Sequence, residues 1–306
     1  MPLLQSNQFD TGYCLRLAND QCWHLIAAQG MKMWIKKLAS VMELKTCGPN
    51  GFPRLIFIKR KSEKEKWQNP IGRLNKNILK GLPITGWKVY SFKLLRFWSH
   101  SKVPDVICEI GPDERHDLDI IRMWQATHPI YERAQNSGGL PLHAALIERE
   151  GMGILLAGRG STGKSTCCRY LPSPWHTFCD DETLIVRNDQ KRYLVHPFPT
   201  WSDYIWNLSA KTWDVQRFLP LFAIFFLKQA ETDEVVPIGH GQASIFINLL
   251  AMDVYQQSWN HLDHKDVRAI KKKLFNNSCE LAKSIPAFIL RVSLSGQFWK
   301  EIEKVL

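Results

Sequence analysis

Apolar positions along the chain fall into two patterns. Short runs closed by glycine, proline or polar residues recur at Cys22–Ala28, Leu55–Ile58, Val106–Ile110, Ala144–Glu148, Ile154–Ala157, Trp175–Cys179, Ala223–Lys228 and Ala287–Val292. Runs of this length between turn formers predict strands. Lys88–Trp98 reads as one longer strand. Thr183–Arg187 and Arg192–Val195 bracket Asn188-Asp189, a hairpin signal.

The second pattern has helical spacing. Met31, Trp34, Leu38, Val41 and Met42 share one face, which predicts a helix over Met31–Leu44. Further helices are expected over Leu118–Gln135 with a break near Pro129, and over Ser244–Tyr255, Val267–Phe275 and Gly296–Leu306. Asn136-Ser137-Gly138-Gly139 stops the second of these. It marks the expected division between an N-terminal domain, 1–136, and a C-terminal domain, 137–306. The alternation of strands and helices after it predicts an α/β nucleotide-binding domain, preceded by a smaller basic α/β domain.

Composition narrows the class. The chain has 306 residues and 45% hydrophobic content, enough for a core and for two domains. It contains no continuous apolar run long enough to span a bilayer. Met1-Pro2-Leu3-Leu4-Gln5 lacks the basic head and apolar stretch of a signal peptide, and a cytoplasmic protein is expected. The 8 cysteines show no CxxC spacing, so free thiols are expected. His261-Leu262-Asp263-His264 has ligand-like residues but reads as a surface loop between helices.

Charge is uneven. Residues 31–100 hold 16 Lys/Arg against 3 Asp/Glu, while the whole chain is +11. Such a front attracts an acidic partner, or it is simply a solvated surface. The run Lys59–Lys66 mixes signs and reads as a loop. No nucleic-acid-binding motif accompanies the charge, so nucleic acid is not the expected partner. The sequence leaves a homo-oligomer open.

The chemistry concentrates in one octet, Gly158-Arg159-Gly160-Ser161-Thr162-Gly163-Lys164-Ser165, followed by Thr166. It fits the G-x-x-x-x-G-K-[ST] phosphate-binding pattern, with a strand before it and a short helix after it, ended by Pro172 and Pro174. Glycines let such a loop turn its N–H groups onto a phosphate of ATP. Lys164 would reach the β- and γ-phosphates, and the Ser165 hydroxyl would ligate Mg²⁺. Phe178-Cys179-Asp180-Asp181-Glu182 places carboxylates at a strand end, where phosphate-loop proteins keep a metal contact or a base. Only 16 positions separate Lys164 from Asp180, so one short helix returns the chain to a neighbouring strand.

This order and spacing resemble the catalytic domain of HPr kinase/phosphorylase and its relatives. The corresponding residues are Leu142-His143-Ala144-Ala145-Leu146-Ile147, Gly153–Ala157, Gly158–Ser165 and Asp180-Asp181. The resemblance implies that Asp180 is the base for an acceptor serine, that Asp181 helps hold Mg²⁺, and that His143 lies close to the loop. The glycine-rich Glu-Arg signature of the bifunctional enzymes is missing. His196-Pro197-Phe198-Pro199-Thr200-Trp201-Ser202-Asp203-Tyr204 stands after the acidic pair instead, and reads as a packed loop or a substrate groove. The overall layout looks more like kinase-related proteins of peptide-modification cassettes, the ScmC-type proteins and the lasso-peptide serine kinases, which implies a ribosomal precursor peptide as acceptor. Two other functions fit the same residues. One is a small-molecule kinase; the other is a nucleotide-dependent protein that binds a peptide or nucleic acid without phosphotransfer.

Overall fold

A computed structural model describes residues 12–28, 30–60, 69–92, 94–112, 115–206, 211–255 and 264–306. Most of the Lys59–Lys66 run and of His261–His264 falls outside these residues. The chain divides into two compact units, the first comprising the residues up to Arg16 and Gln21–Thr127, the second Leu17–Asp20 and His128–Leu306. The sequence places the division at 136/137.

The first unit contains β1 (Gly12–Arg16), β2 (Cys22–Ala27), α1 (Lys32–Val41), β3 (Lys45–Cys47), β4 (Arg54–Lys59), a 3₁₀ turn (Pro70–Arg73), α2 (Lys76–Leu79), β5 (Lys88–Phe92), β6 (Leu95–His100), β7 (Val103–Ile110) and α3 (His116–Ala126). Its strands form one mixed sheet in the order β3-β1-β2-β4-β7-β6-β5. β2, β4 and β7 run parallel at the centre. On one face Ile26, Ile56, Ile58 and Ile107 pack with Ile71, Leu74 and Ile78 of the 3₁₀ turn and α2. α1 buries Ile35, Leu38, Ala39 and Val41, close to the predicted stripe.

Two expectations are corrected in this unit. Lys88–Trp98 is a hairpin of β5 and β6, with Phe92 opposite Leu95. No glycine or proline marks the reversal, so the apolar alternation reads through it. Cys14 and Cys47 form a disulfide with Cα atoms 5.9 Å apart, in place of two free thiols. The antiparallel pairing of β1 with β3 brings the two residues together although 33 positions separate them. The other six cysteines are unbridged.

The predicted helix over Leu118–Gln135 breaks at Thr127, and α4 (His128–Asn136) opens the second unit with Pro129 in its first turn. Proline is tolerated there because its missing N–H has no helical partner to lose. The unit continues with β8 (Leu140–Leu142), β9 (Ala144–Arg149), β10 (Met152–Ala157), α5 (Lys164–Tyr170), β11 (His176–Cys179), β12 (Glu182–Arg187), β13 (Tyr193–Phe198), α6 (Trp201–Ile205), β14 (Leu219–Gln229), β15 (Glu234–Pro237), α7 (His240–Tyr255), α8 (His264–Ser284), β16 (Ala287–Val292) and α9 (Phe298–Glu303). The 9-stranded sheet follows the path β11-β9-β10-β14-β13-β12-β8, with β16 also paired to β14, and β15 to β16.

β14 is the hinge of this topology. Its start pairs with β13, and the rest runs parallel to both β10 and β16. Strands buried on both faces explain the continuous apolar runs of the sequence. One face gathers Ile154, Leu156, Ala223, Phe225 and Leu290 with Cys167 of α5 and Phe298 and Ile302 of α9. β9 is antiparallel to both β10 and β11. Strands β11, β10, β14 and β16 therefore all end at the same edge of the sheet, and the candidate chemistry sits there. No helix among the described residues is long and apolar enough to cross a membrane.

Candidate functional site

The Gly158–Ser165 loop leaves β10 directly and enters α5 at Lys164. Gly163 has φ 103°, a conformation that a side chain would strain. A Cβ on Gly158 would meet the Thr162 hydroxyl at 2.6 Å. Ser161 holds φ 66° although it is not glycine. Strain of this kind persists only where the surroundings enforce it. Here Gln229, at the end of β14, donates from Nε2 to the Ser161 carbonyl at 3.1 Å. The Thr162 hydroxyl donates to the Arg159 carbonyl at 2.8 Å. Arg159 itself turns its guanidinium outward onto Asp253 of α7, at 2.8 and 3.3 Å, so only its backbone faces the loop. Ser165 is exposed at the start of α5, and Thr166 is half-buried beside it.

Lys164 lies across this loop with only 5% of its surface exposed. Its ammonium donates to the carbonyls of Gly158 at 2.8 Å and Arg159 at 3.3 Å. Burial lowers its pKa below the ordinary 10.5, although Asp181 and Asp180 pull it the other way. The ammonium is 3.9 Å from Asp181 Oδ1. The same oxygen lies 2.7 Å from His143 Nε2. Burial opposes ionisation of Asp181, but the His143 hydrogen bond and the His143 and Lys164 charges outweigh it and hold the carboxyl below 3.8. His143 links β8 to β9 and its carbonyl accepts from the Gly158 N–H at 3.3 Å. One residue therefore anchors both the loop and the acid.

Asp180 and Asp181 are the two residues between β11 and β12. Glu182, which the sequence groups with them, points away and accepts from the buried Tyr131 hydroxyl. Asp180 accepts a short hydrogen bond from the Thr200 hydroxyl, and Trp213 Nε1 donates to Thr200 at 3.2 Å. The indole occupies one lone pair of the hydroxyl and leaves its proton for Asp180. Thr200 stands at the start of α6 yet makes no capping bond with its side chain. A threonine there ordinarily caps, which is worth about 1 kcal/mol; this hydroxyl serves the acid instead. Asp203 of α6 adds a third carboxylate. Its pKa is raised by burial and by the charges of Asp180 and Asp181.

The sequence signals for Thr200 and Asp203 lay in the His196–Tyr204 segment, which the structure resolves into two parts. His196, Pro197 and Phe198 are buried in β13, as a packed segment, and Thr200 reaches into the site. Trp213 and Gln229 carried no local signal. Cys167 and Cys168, adjacent on α5, are pushed by burial to about 11 and about 12. Both thiols therefore stay protonated near neutrality.

The donor set suits a nucleotide with a divalent cation. A buried ammonium beside a strained glycine loop lies 3.9 Å from the Asp181 carboxylate, and Asp180 is the neighbouring residue. Among the described residues no group of three or more His, Cys, Asp or Glu side chains could hold a metal by itself. A magnesium ion, held by one or two protein oxygens plus phosphates, needs no such cage. Asp181 and Ser165 are the groups that would supply those oxygens.

No curated protein matches the chain. Residues 106–306 match the family described as SynChlorMet cassette protein ScmC. The match spans the loop, the acidic pair, His143, Thr200 and Trp213, and it covers well over half of the chain. The chain therefore belongs to the ScmC family.

Proposed function

We propose that this chain is an ATP-dependent kinase that transfers the γ-phosphoryl group to a serine hydroxyl of a peptide or small protein. The observation that carries the reading is the meeting of Lys164, His143 and Asp181 around one carboxylate oxygen, with Asp180 beside them held by Thr200. It agrees with the resemblance of this unit to the HPr kinase/phosphorylase catalytic domain. Membership of the ScmC family, described as cassette proteins, supports a ribosomal precursor peptide as acceptor, and the basic composition of residues 31–100 supports an acidic one.

Mg·ATP, when bound, supplies the phosphoryl group and a cation that offsets its charge. The loop N–H groups and Lys164 hold phosphate oxygens. Asp181 and Ser165 would hold the cation, with Asp181 oriented by its 2.7 Å contact with His143. Asp180 takes the proton of the serine hydroxyl while that oxygen bonds phosphorus and displaces ADP. Thr200 and Trp213 aim Asp180 for this step. The protein's contribution is placement and charge compensation.

The basic front also favours a second reading, a nucleotide-dependent binding protein without transfer. A small-molecule kinase is the third. Magnesium titration separates kinase from binder. We expect phosphotransfer to require Mg²⁺, and Asp181→Asn to raise the Mg²⁺ midpoint as well as slow transfer. ATP binding with no transfer at any Mg²⁺ concentration would favour the binder.

A further inference from the structure

A cavity of about 460 Å³ opens beside the phosphate loop, on the flank away from the acidic pair. Four pieces of chain wall it: the loop with α5, the end of β14, the segment after β16, and the start of α9. Thr162 and Gly163 belong to both loop and cavity. Gln229 joins them, because it lines the cavity while holding the Ser161 carbonyl.

The strand order gives the arrangement a direction. β11 lies on one side of β10, and β14 then β16 lie on the other. Asp180 and Asp181 follow β11, and the cavity is built on the ends of β14 and β16. A polyphosphate lying across the loop has one end at the carboxylates and the other at the cavity mouth. Ligands of open α/β sheets bind at such an edge.

The lining fits a flat, neutral, aromatic group. Tyr170 and Trp299 offer rings, Ser293 and Ser295 offer hydroxyls, and no charged side chain lines the cavity. The wall at 293–296 is a built turn. Ser293 N–H donates to Asp233 Oδ1 at 2.6 Å. Gly296 sits so close to the same carboxylate that a Cβ would come within 1.9 Å of it. Two large side chains are left open to water, Tyr170 at 65% and Leu294 at 97% exposed. A bound ring would cover them. The volume lies within the roughly 300–1,000 Å³ of small-molecule sites.

We propose that this cavity receives the base and ribose of the nucleoside triphosphate, with the base against Trp299 and Tyr170 and the phosphates running over Gly163 toward Asp181. This assignment rests on the nucleotide part of the function proposed above. Its test is calorimetry with Mg·ATP and with Mg·tripolyphosphate, on the full chain and on Trp299→Ala, Trp299→Phe and Tyr170→Ala. Base stacking predicts that Trp299→Ala weakens ATP by about tenfold to a hundredfold. Tripolyphosphate affinity should stay unchanged, and Trp299→Phe should recover most of the loss. Tyr170→Ala, at an exposed position that tolerates truncation, should also weaken ATP alone. Unchanged ATP affinity in both alanine variants overturns the cavity assignment and leaves the phosphate-loop reading standing. Parallel loss of ATP and tripolyphosphate also overturns it, since the side chains then act only on the fold. Binding of neither ligand by the wild type overturns both readings.

Discussion

At the scale of single residues, the site is a set of groups held where none would rest by itself. Lys164 is a nearly buried cation whose partners are two carbonyls and a carboxylate 3.9 Å away. Phosphate oxygens would complete its surroundings. We expect Lys164→Ala to weaken Mg·ATP binding or turnover at least tenfold, about 1.4 kcal/mol, by calorimetry and steady-state rates. Equal affinity and equal turnover would remove the loop from the account. Thr200→Val should act differently. It deletes the hydrogen bond to Asp180 and leaves Trp213 Nε1 without its acceptor. A hydrogen bond to a charged group is worth about 1.5–3 kcal/mol, so turnover should fall roughly tenfold to a hundredfold while ATP affinity holds. A change in affinity with unchanged turnover would place Thr200 outside the chemistry.

Individual elements bring these residues together, and here the sequence speaks unevenly. The octet, its strand and its short helix are legible because each follows from local chemistry: glycines for the turn, an apolar run before it, prolines after it. The acidic pair is legible through its distance from Lys164. Thr200 and Trp213 are not, because the β12–β13 hairpin and the segment after α6 bring them back to Asp180 from 20 and 33 positions away. Short strands such as β3 and β8, three residues each, are set by their neighbours and leave no periodicity to read. His196 shows how one buried side chain serves an element. Its Nε2 lies 3.0 Å from the Ala18 N–H, and its Nδ1 lies 2.8 Å from the Val215 carbonyl, so the neutral ring has one fixed tautomer. Burial lowers its pKa from 6.5 to about 4, and burial does the same to His128. The unfolded chain protonates these rings first, so their contribution is whole above pH 6.5 and lost as pH falls toward about 4. The slope should be on the order of 1.4 kcal/mol per pH unit for each histidine. Urea unfolding at a series of pH values checks this. Stability that stays flat between those limits would contradict the buried neutral rings.

For the whole molecule, the division of labour is chemical. The unit that ends in the ScmC match carries the loop and the acids, and the basic surplus lies earlier in the chain. Lys32 and Lys36 are exposed on α1. If the front recruits an acidic peptide, affinity should fall as salt rises, because exposed charges are screened over about 8–10 Å near physiological ionic strength. Reversing Lys32 and Lys36 to glutamate should weaken peptide binding, followed by fluorescence anisotropy, and leave ATP affinity alone. Salt-independent binding would make the surplus a solubility feature. The central claim is that Asp180 is the base of a serine kinase. Its most direct test gives wild type and Asp180→Asn Mg·ATP and a library of acidic serine-containing peptides, and counts phosphoserine by mass spectrometry. The account predicts phosphopeptides from the wild type and a loss of roughly 10²–10⁴-fold in Asp180→Asn, with ATP affinity kept. Equal phosphoserine from both proteins, or none from a wild type that binds ATP, would contradict it.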